Sequence, residues 1–249
     1  MSAKTARAER REQRRAAERA AAEAATRRRR VRMLLGAAGV AVVLVVVGIV
    51  VSASGGKNDE VPVTAETATL VAGIEEHDGV LGSPSAPITL TEYLDPQCPI
   101  CADAARETLP TIIDKYVRTG KVKLQARTLS FLGPDSVRAA KVAAGAAQQG
   151  KLWAFLETFY ASQGQENSGY VTDEFLTGVL QAAGADAKQA LAFADGDSSQ
   201  EALDQADAQA QQMGVDSTPS FSVTRGHGDE EVVAVGTDDL TSKLEAALS

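Results

Sequence analysis

Apolar and polar residues alternate from Ile88 to Thr91, and the segment Ile88-Thr89-Leu90-Thr91-Glu92-Tyr93-Leu94 is rich in β-branched and aromatic residues, which predicts a strand. Asp95-Pro96-Gln97 breaks it. From Pro99 to Arg118 the apolar residues Ile100, Leu109, Ile112, Ile113 and Tyr116 recur near helical spacing, with Pro110 expected to kink the helix. Gly120 ends that helix, Lys121 to Leu129 reads as a second strand, and Phe131-Leu132-Gly133-Pro134 closes the unit. Asp135 to Met213 then reads as consecutive helices. Asp135-Ser136 would cap Val137 to Gln149. Lys151 to Ser162 carries an apolar face of Leu152, Trp153, Phe155, Leu156, Phe159 and Tyr160, read as core ahead of a peptide-binding surface. Thr172-Asp173-Glu174 opens a helix over Phe175, Val179 and Leu180, and two more follow near Ala187–Phe193 and Ser199–Met213. Strands return at Ser220–Thr224 and Glu231–Val235 around a Gly-His-Gly-Asp turn, and a helix spans about Asp238 to Leu248. Upstream, Leu70 to Ile74 reads as an edge strand and His77-Asp78-Gly79 as a turn. No internal repeat is visible.

The N-terminal quarter departs from this pattern. Met33 to Val51 is an uncharged, almost wholly apolar run that at about 1.5 Å per residue nearly spans a hydrocarbon core of about 30 Å. Residues 1–32 hold 12 Lys and Arg against 4 Asp and Glu, and the rest of the chain 13 against 29. Basic flanks stay cytoplasmic, so the acidic part is expected outside. The expected organisation is a basic cytoplasmic segment over 1–32, a single-pass transmembrane helix (signal anchor) over 33–52, a flexible linker over 53–66 and a folded domain over 67–249 with a helical insertion at about 135–213. Cleavage near Val51-Ser52-Ala53-Ser54 is the alternative to anchoring. The basic leader abuts a membrane span, which favours anionic lipid over nucleic acid as its partner.

Cys98-Pro99-Ile100-Cys101 holds both cysteines of the chain. A C-x-x-C pair is a redox dithiol, half of a zinc site or a short structural disulfide. Zinc wants four ligands, and the only histidines, His77 and His227, lack zinc spacing. A disulfide over so short a loop removes little chain entropy. Redox chemistry is therefore the leading reading, with no cofactor beyond the Cys98–Cys101 disulfide itself, since no phosphate-binding glycine motif is present. Cys98 falls at a helix start, with Pro99 suited to the first turn, where unpaired N–H groups stabilise a thiolate. Its pKa should lie within the roughly 3.5–7.5 range of such sites. Cys101, one turn on, should be more buried and resolve the mixed disulfide formed at Cys98. Glu92 shares the face of Ile88 and Leu90, which points a carboxyl into apolar surroundings and should raise its pKa.

These features together resemble the thioredoxin superfamily, in its DsbA-like branch with a helical insertion. The resemblance spans roughly residues 80–249 and rests on Gly82-Ser83-Pro84-Ser85-Ala86-Pro87, Glu92, Cys98-Pro99-Ile100-Cys101, Trp153 and Gly214-Val215-Asp216-Ser217-Thr218-Pro219-Ser220-Phe221. It implies an α/β thioredoxin fold and a cis Pro219 facing the cysteines. It further implies a substrate strand held by the Thr218 backbone, and Glu92 as a buried acid that takes the Cys101 proton. The family often pairs that acid with a lysine; Lys123 and Arg127 are the candidates here. DsbA-type oxidases often carry histidine or an aromatic between Pro and the second cysteine, where this chain has Ile100. The expected function is a membrane-anchored, extracytoplasmic thiol–disulfide oxidoreductase that introduces disulfides into reduced or misoxidised exported polypeptides and is recycled by a membrane redox partner. The alternatives are a reductase or isomerase, or a metal-binding or chaperone module.

Overall fold

The structure, a computed structural model, describes Val63 and residues 69–249. The expected basic segment and membrane span, and all but Val63 of the linker, lie outside the described residues. Among the described residues no helix is long and apolar enough to cross a membrane.

The Ile88–Leu94 segment forms β3, buried along almost its whole length because both of its sides are paired. It runs parallel to β4 (Val122–Thr128) and antiparallel to β5 (Ser220–Arg225). A parallel partner needs a crossover, and the helix over 99–117, α1, supplies it. β6 (Glu230–Val235) extends the β5 side with a bulge opposite Phe221/Ser222. A hairpin of two-residue strands, β1 (Glu76–His77) and β2 (Val80–Leu81), extends the β4 side, giving the order β1-β2-β4-β3-β5-β6. Asp78 and Gly79 both have positive φ at that hairpin's tip. The expected Leu70–Ile74 strand is absent: 69–73 is a turn whose apolar side chains pack onto the core.

Helices follow as α2 (Pro134–Ala147), α3 (Leu152–Ala161), α4 (Asp173–Ala182), α5 (Ala187–Ala194), α6 (Asp197–Gln212) and α7 (Leu240–Leu248). Thr172 caps α4 by accepting from the Phe175 N–H, as its sequence predicts. Asp135-Ser136 is not the α2 cap. Gly133, at φ 96°, holds that position with Pro134 in the first turn, and the Ser136 hydroxyl turns inward. One face of β3 (Ile88, Leu90, Leu94) joins a core with α1, α3 and α7; the other presents Tyr93 to Ala206 and Ala210 of α6. Phe159 anchors the inserted helices, with ring centroids 5.6 Å from Phe175 and 5.7 Å from Phe155. Such aromatic pairs add about 0.5–1.5 kcal/mol each beyond burial. Trp153 is core, its indole N–H donating to the Gly79 carbonyl at 3.0 Å.

The Pro110 irregularity is a widening of the helix. α1 alternates α-helical Pro99–Asp103 and Leu109–Ile112 with π turns at Ala104–Thr108 and Ile113–Val117. A proline ring excludes the carbonyl four residues back and offers no N–H. The π turn ahead of Pro110 relieves that conflict, with Leu109 N–H donating to Ala104 O.

Candidate active site

Cys98 caps α1. Its backbone is extended (φ −72°, ψ 117°), and its sulfur accepts the Cys101 N–H at 3.3 Å. Both cysteines are free thiols, and both are buried, Cys98 at 5% exposure and Cys101 at 0%. Ile100 between them is 54% exposed. The Thr218–Pro219 peptide is cis, and the Cys98 thiol lies 3.4 Å from the Thr218 carbonyl oxygen. Cysteine loop and proline loop, 120 residues apart in sequence, thus meet at one sulfur.

The electrostatics separate the two thiols. Cys98 is lowered from 9.0 to about 6. The Cys101 side chain donating to it is the largest cause, outweighing burial, and Thr218 and the N–H groups of Cys101 and Ile100 add to it. Cys101 is pushed well above its ordinary value, by burial first and then by its bond to Cys98 and the charges of Cys98 and Glu92. At neutral pH Cys98 is therefore mostly thiolate and Cys101 a thiol, the asymmetry an attacking and a resolving sulfur need.

Glu92 lies in β3 opposite Ala126 and Phe221, at 1% exposure. Neither carboxylate oxygen has a hydrogen-bond partner among the described residues. Burial, then the Cys98 charge, raises its pKa from 4.5 to about 8. Lys123 and Arg127 do not serve it. Their register with Thr89 and Tyr93 puts them on the opposite sheet face, where Lys123 Nζ donates to Pro84 O and Arg127 Nε to Gln209. His77 sits in edge strand β1, with β2 and β4 between it and β3.

A second buried carboxylate, Asp95, organises the cysteine loop. It accepts from Gln97 N–H at 2.8 Å, Leu132 N–H at 3.2 Å and the Ser136 hydroxyl at 2.6 Å. Its backbone carbonyl accepts from the Cys98 N–H at 3.0 Å and the Tyr160 hydroxyl at 3.1 Å. Gln97 in turn donates to the Tyr170 hydroxyl and accepts from Asn167 N–H, while Gln163 donates to the Pro96 and Cys98 carbonyls. The inserted helices thus hold the loop through buried polar side chains. The sequence marks Asp95 only as a strand breaker; Asp-Pro at a strand end is an Asx-turn signal that identifies the side chain as a backbone acceptor. Among the described residues no group of three His, Cys, Asp or Glu side chains is placed to hold a metal ion.

Comparison with known proteins matches this architecture. A Bacillus anthracis relative named "Probable disulfide bond formation protein D" is 32% identical over 105 residues, 41% of this chain and 48% of that protein. The chain spans about half the length of the curated relatives it matches. BdbD from Bacillus subtilis superposes with a TM-score of 0.60 at 19% identity, over 70% of this chain and 94% of BdbD. DsbA from Chlamydia trachomatis superposes with a TM-score of 0.57 at 21% identity, over 68% and 90%. A family model described as Thioredoxin matches residues 75–239, from the edge hairpin to the start of the last helix. The chain belongs to the thioredoxin family, its fold carrying helices inserted between β4 and β5.

Proposed function

We propose that this protein is an extracytoplasmic thiol–disulfide oxidoreductase, tethered by residues 33–52, that passes the Cys98–Cys101 disulfide to reduced or misoxidised exported polypeptides. The observation that carries the reading is the split pair: Cys98 at about 6 and capping a helix, Cys101 buried and held as a thiol. A client thiolate attacks Cys98 Sγ, the Cys98–Cys101 bond breaks, and the electron pair leaves on Cys101 Sγ, which takes a proton from Glu92. The client's second thiolate then attacks the mixed disulfide and expels Cys98 as thiolate. The client loses two electrons, and a membrane partner removes them from the dithiol. Thr218 pairs its backbone with the extended client, a mode that tolerates varied sequence. The relative from Bacillus anthracis, named for disulfide bond formation, supports this direction. The tether rests on the apolar run and its basic flank, whose partner is anionic lipid rather than nucleic acid.

A reductase or isomerase is the second reading, favoured by Ile100. It supplies no positive charge to the thiolate, and about 6 lies closer to the ~7 of thioredoxin than the ~3.5 of DsbA. The equilibrium reduction potential of the full chain against glutathione separates the two. A value near roughly −120 mV supports donation, and one near roughly −270 mV supports reduction. Turnover of a reduced substrate that survives Cys98→Ser would defeat both.

A further inference from the structure

Glu92 opens onto a cavity. It and Glu157, from α3, line one partly open space of about 20 Å³, room for a single water molecule. Both Glu92 oxygens and Glu157 Oε2 are buried and have no hydrogen-bond partner among the described residues. Ala105, Leu109 and Ile113 of α1 form an apolar wall, and the Tyr160 hydroxyl on the same wall is committed to the Asp95 carbonyl. Three orphaned carboxylate oxygens around an otherwise apolar space are costly unless a water or shared proton answers them. A water there donates twice, and a protonated Glu92 donates once, which satisfies all three.

Glu157 also faces the other way. It is only partly buried, and its Oε1 accepts the Leu70 N–H at 3.3 Å. That 69–73 turn is pinned by Arg118, which donates to the Leu70 and Ala72 carbonyls at 2.6 and 3.1 Å. The charge that bears on Glu92 is that of Cys98, which favours its neutral form; Cys101 and Tyr160, both raised by burial, stay uncharged beside it, and its sheet neighbours Ala126 and Phe221 carry no charge. In the reduced protein Glu92 therefore holds a proton that it must release before it can accept one from Cys101, and Cys101, itself a thiol there, cannot take it.

We propose that the water-sized cavity and Glu157 form the route by which the proton of the Cys101–Glu92 pair enters and leaves the protein. The proposal rests on Glu92 acting as the acid–base group for Cys101. During resolution Cys101 gives its proton to the Glu92 carboxylate, the new bond forms between the Cys101 and Cys98 sulfurs, and the bond from Cys98 to the partner sulfur breaks. The partner leaves as a thiolate. Glu92 then yields its proton through the cavity water to Glu157, which passes it to solvent. Opening of the disulfide runs the same path inward.

The test uses the full chain in detergent, charged as a mixed disulfide between Cys98 and glutathione, with glutathione release followed by stopped flow from pH 5 to 9. General acid–base groups contribute about 10²–10⁴-fold, so Glu92→Gln is expected to slow release by about a hundredfold. Glu157→Gln keeps an oxygen for the Leu70 N–H but cannot carry the proton as a carboxylate does. Ala105→Leu fills the cavity and leaves both carboxyls in place. Each is expected to slow release by about fivefold or more, a fraction of that same contribution, while the Cys98 thiolate still titrates at about 6. A wild-type rate in either variant, with Glu92→Gln slow, overturns the route and leaves Glu92's role standing. Wild-type rates in all three defeat the reading of Glu92 and the route with it.

Discussion

Glu92→Gln should change how stability depends on pH, by an amount the fold itself sets. The carboxyl titrates at about 8 when folded against 4.5 when free. Between those values the native state binds more protons than the unfolded chain, so stability falls as pH rises, at about 1.4 kcal/mol per pH unit. Below about pH 4.5 the cost vanishes, and at pH 7 it amounts to about 3 kcal/mol, a large share of the 5–15 kcal/mol typical of a domain. The glutamine removes the titration but leaves a buried amide, a penalty of about 1–3 kcal/mol that does not vary with pH. The informative quantity is thus the change in the difference between variant and wild type. Urea unfolding of the reduced protein, read by Trp153 fluorescence at pH 5, 6 and 7, should show the variant gaining about 2.5 kcal/mol on wild type across that range. Oxidation removes the Cys98 charge, the second cause of the shift, so the gain should shrink in the disulfide form. Parallel stability curves for variant and wild type would refute a buried, proton-holding Glu92.

Three further outcomes follow from the geometry. Ultraviolet absorbance of the thiolate should titrate with a midpoint of about 6, and Cys101→Ala should move it upward by removing the largest stabilising hydrogen bond; an unmoved midpoint contradicts that cause. Cys101→Ser should also accumulate mixed disulfides with client proteins, whereas Cys98→Ser should not. Gly145→Ala would ordinarily stabilise α2 by about 1 kcal/mol. Here the new Cβ meets the Ala190 backbone, 2.8 Å from its Cα, where α5 crosses. The expected result is a loss of about 1–3 kcal/mol and a lower melting temperature; a higher one refutes the close crossing.

Much of this arrangement is legible in the chain, and the exceptions share a cause. β3, α1 and the Thr172 cap are encoded locally, by alternation, helical spacing and a side chain reaching a backbone N–H three residues on. Leu70 to Ile74 has the apolar content of a strand, but its role is to cover the core beside α3, with Glu157 taking the Leu70 N–H that a ladder would have used. Two-residue strands such as β1 and β2 are too short to show any period. Ser136 is a plausible cap by type, yet its hydroxyl is drawn to Asp95, 41 positions away. Gln97 finds Tyr170 across 73 positions. Glu92 was visible because a charge on an apolar face breaks a pattern; Glu157, at a half-buried helix position, breaks none. Side chains that meet only through the tertiary fold leave no trace in spacing.

The shape of the sheet edges bears on how safely the proposed function can be carried out among unfolded chains. β1 ends one side after two residues. On the other side β6 is distorted by its bulge and begins with Glu230 and Glu231. Short, bent and charged edges resist recruitment of foreign strands into a growing sheet. A catalyst of disulfide chemistry meets its clients when they are most prone to aggregate. In the function proposed above, with the outer edges blunted, main-chain pairing with a client would be left to Thr218, beside the Cys98 sulfur.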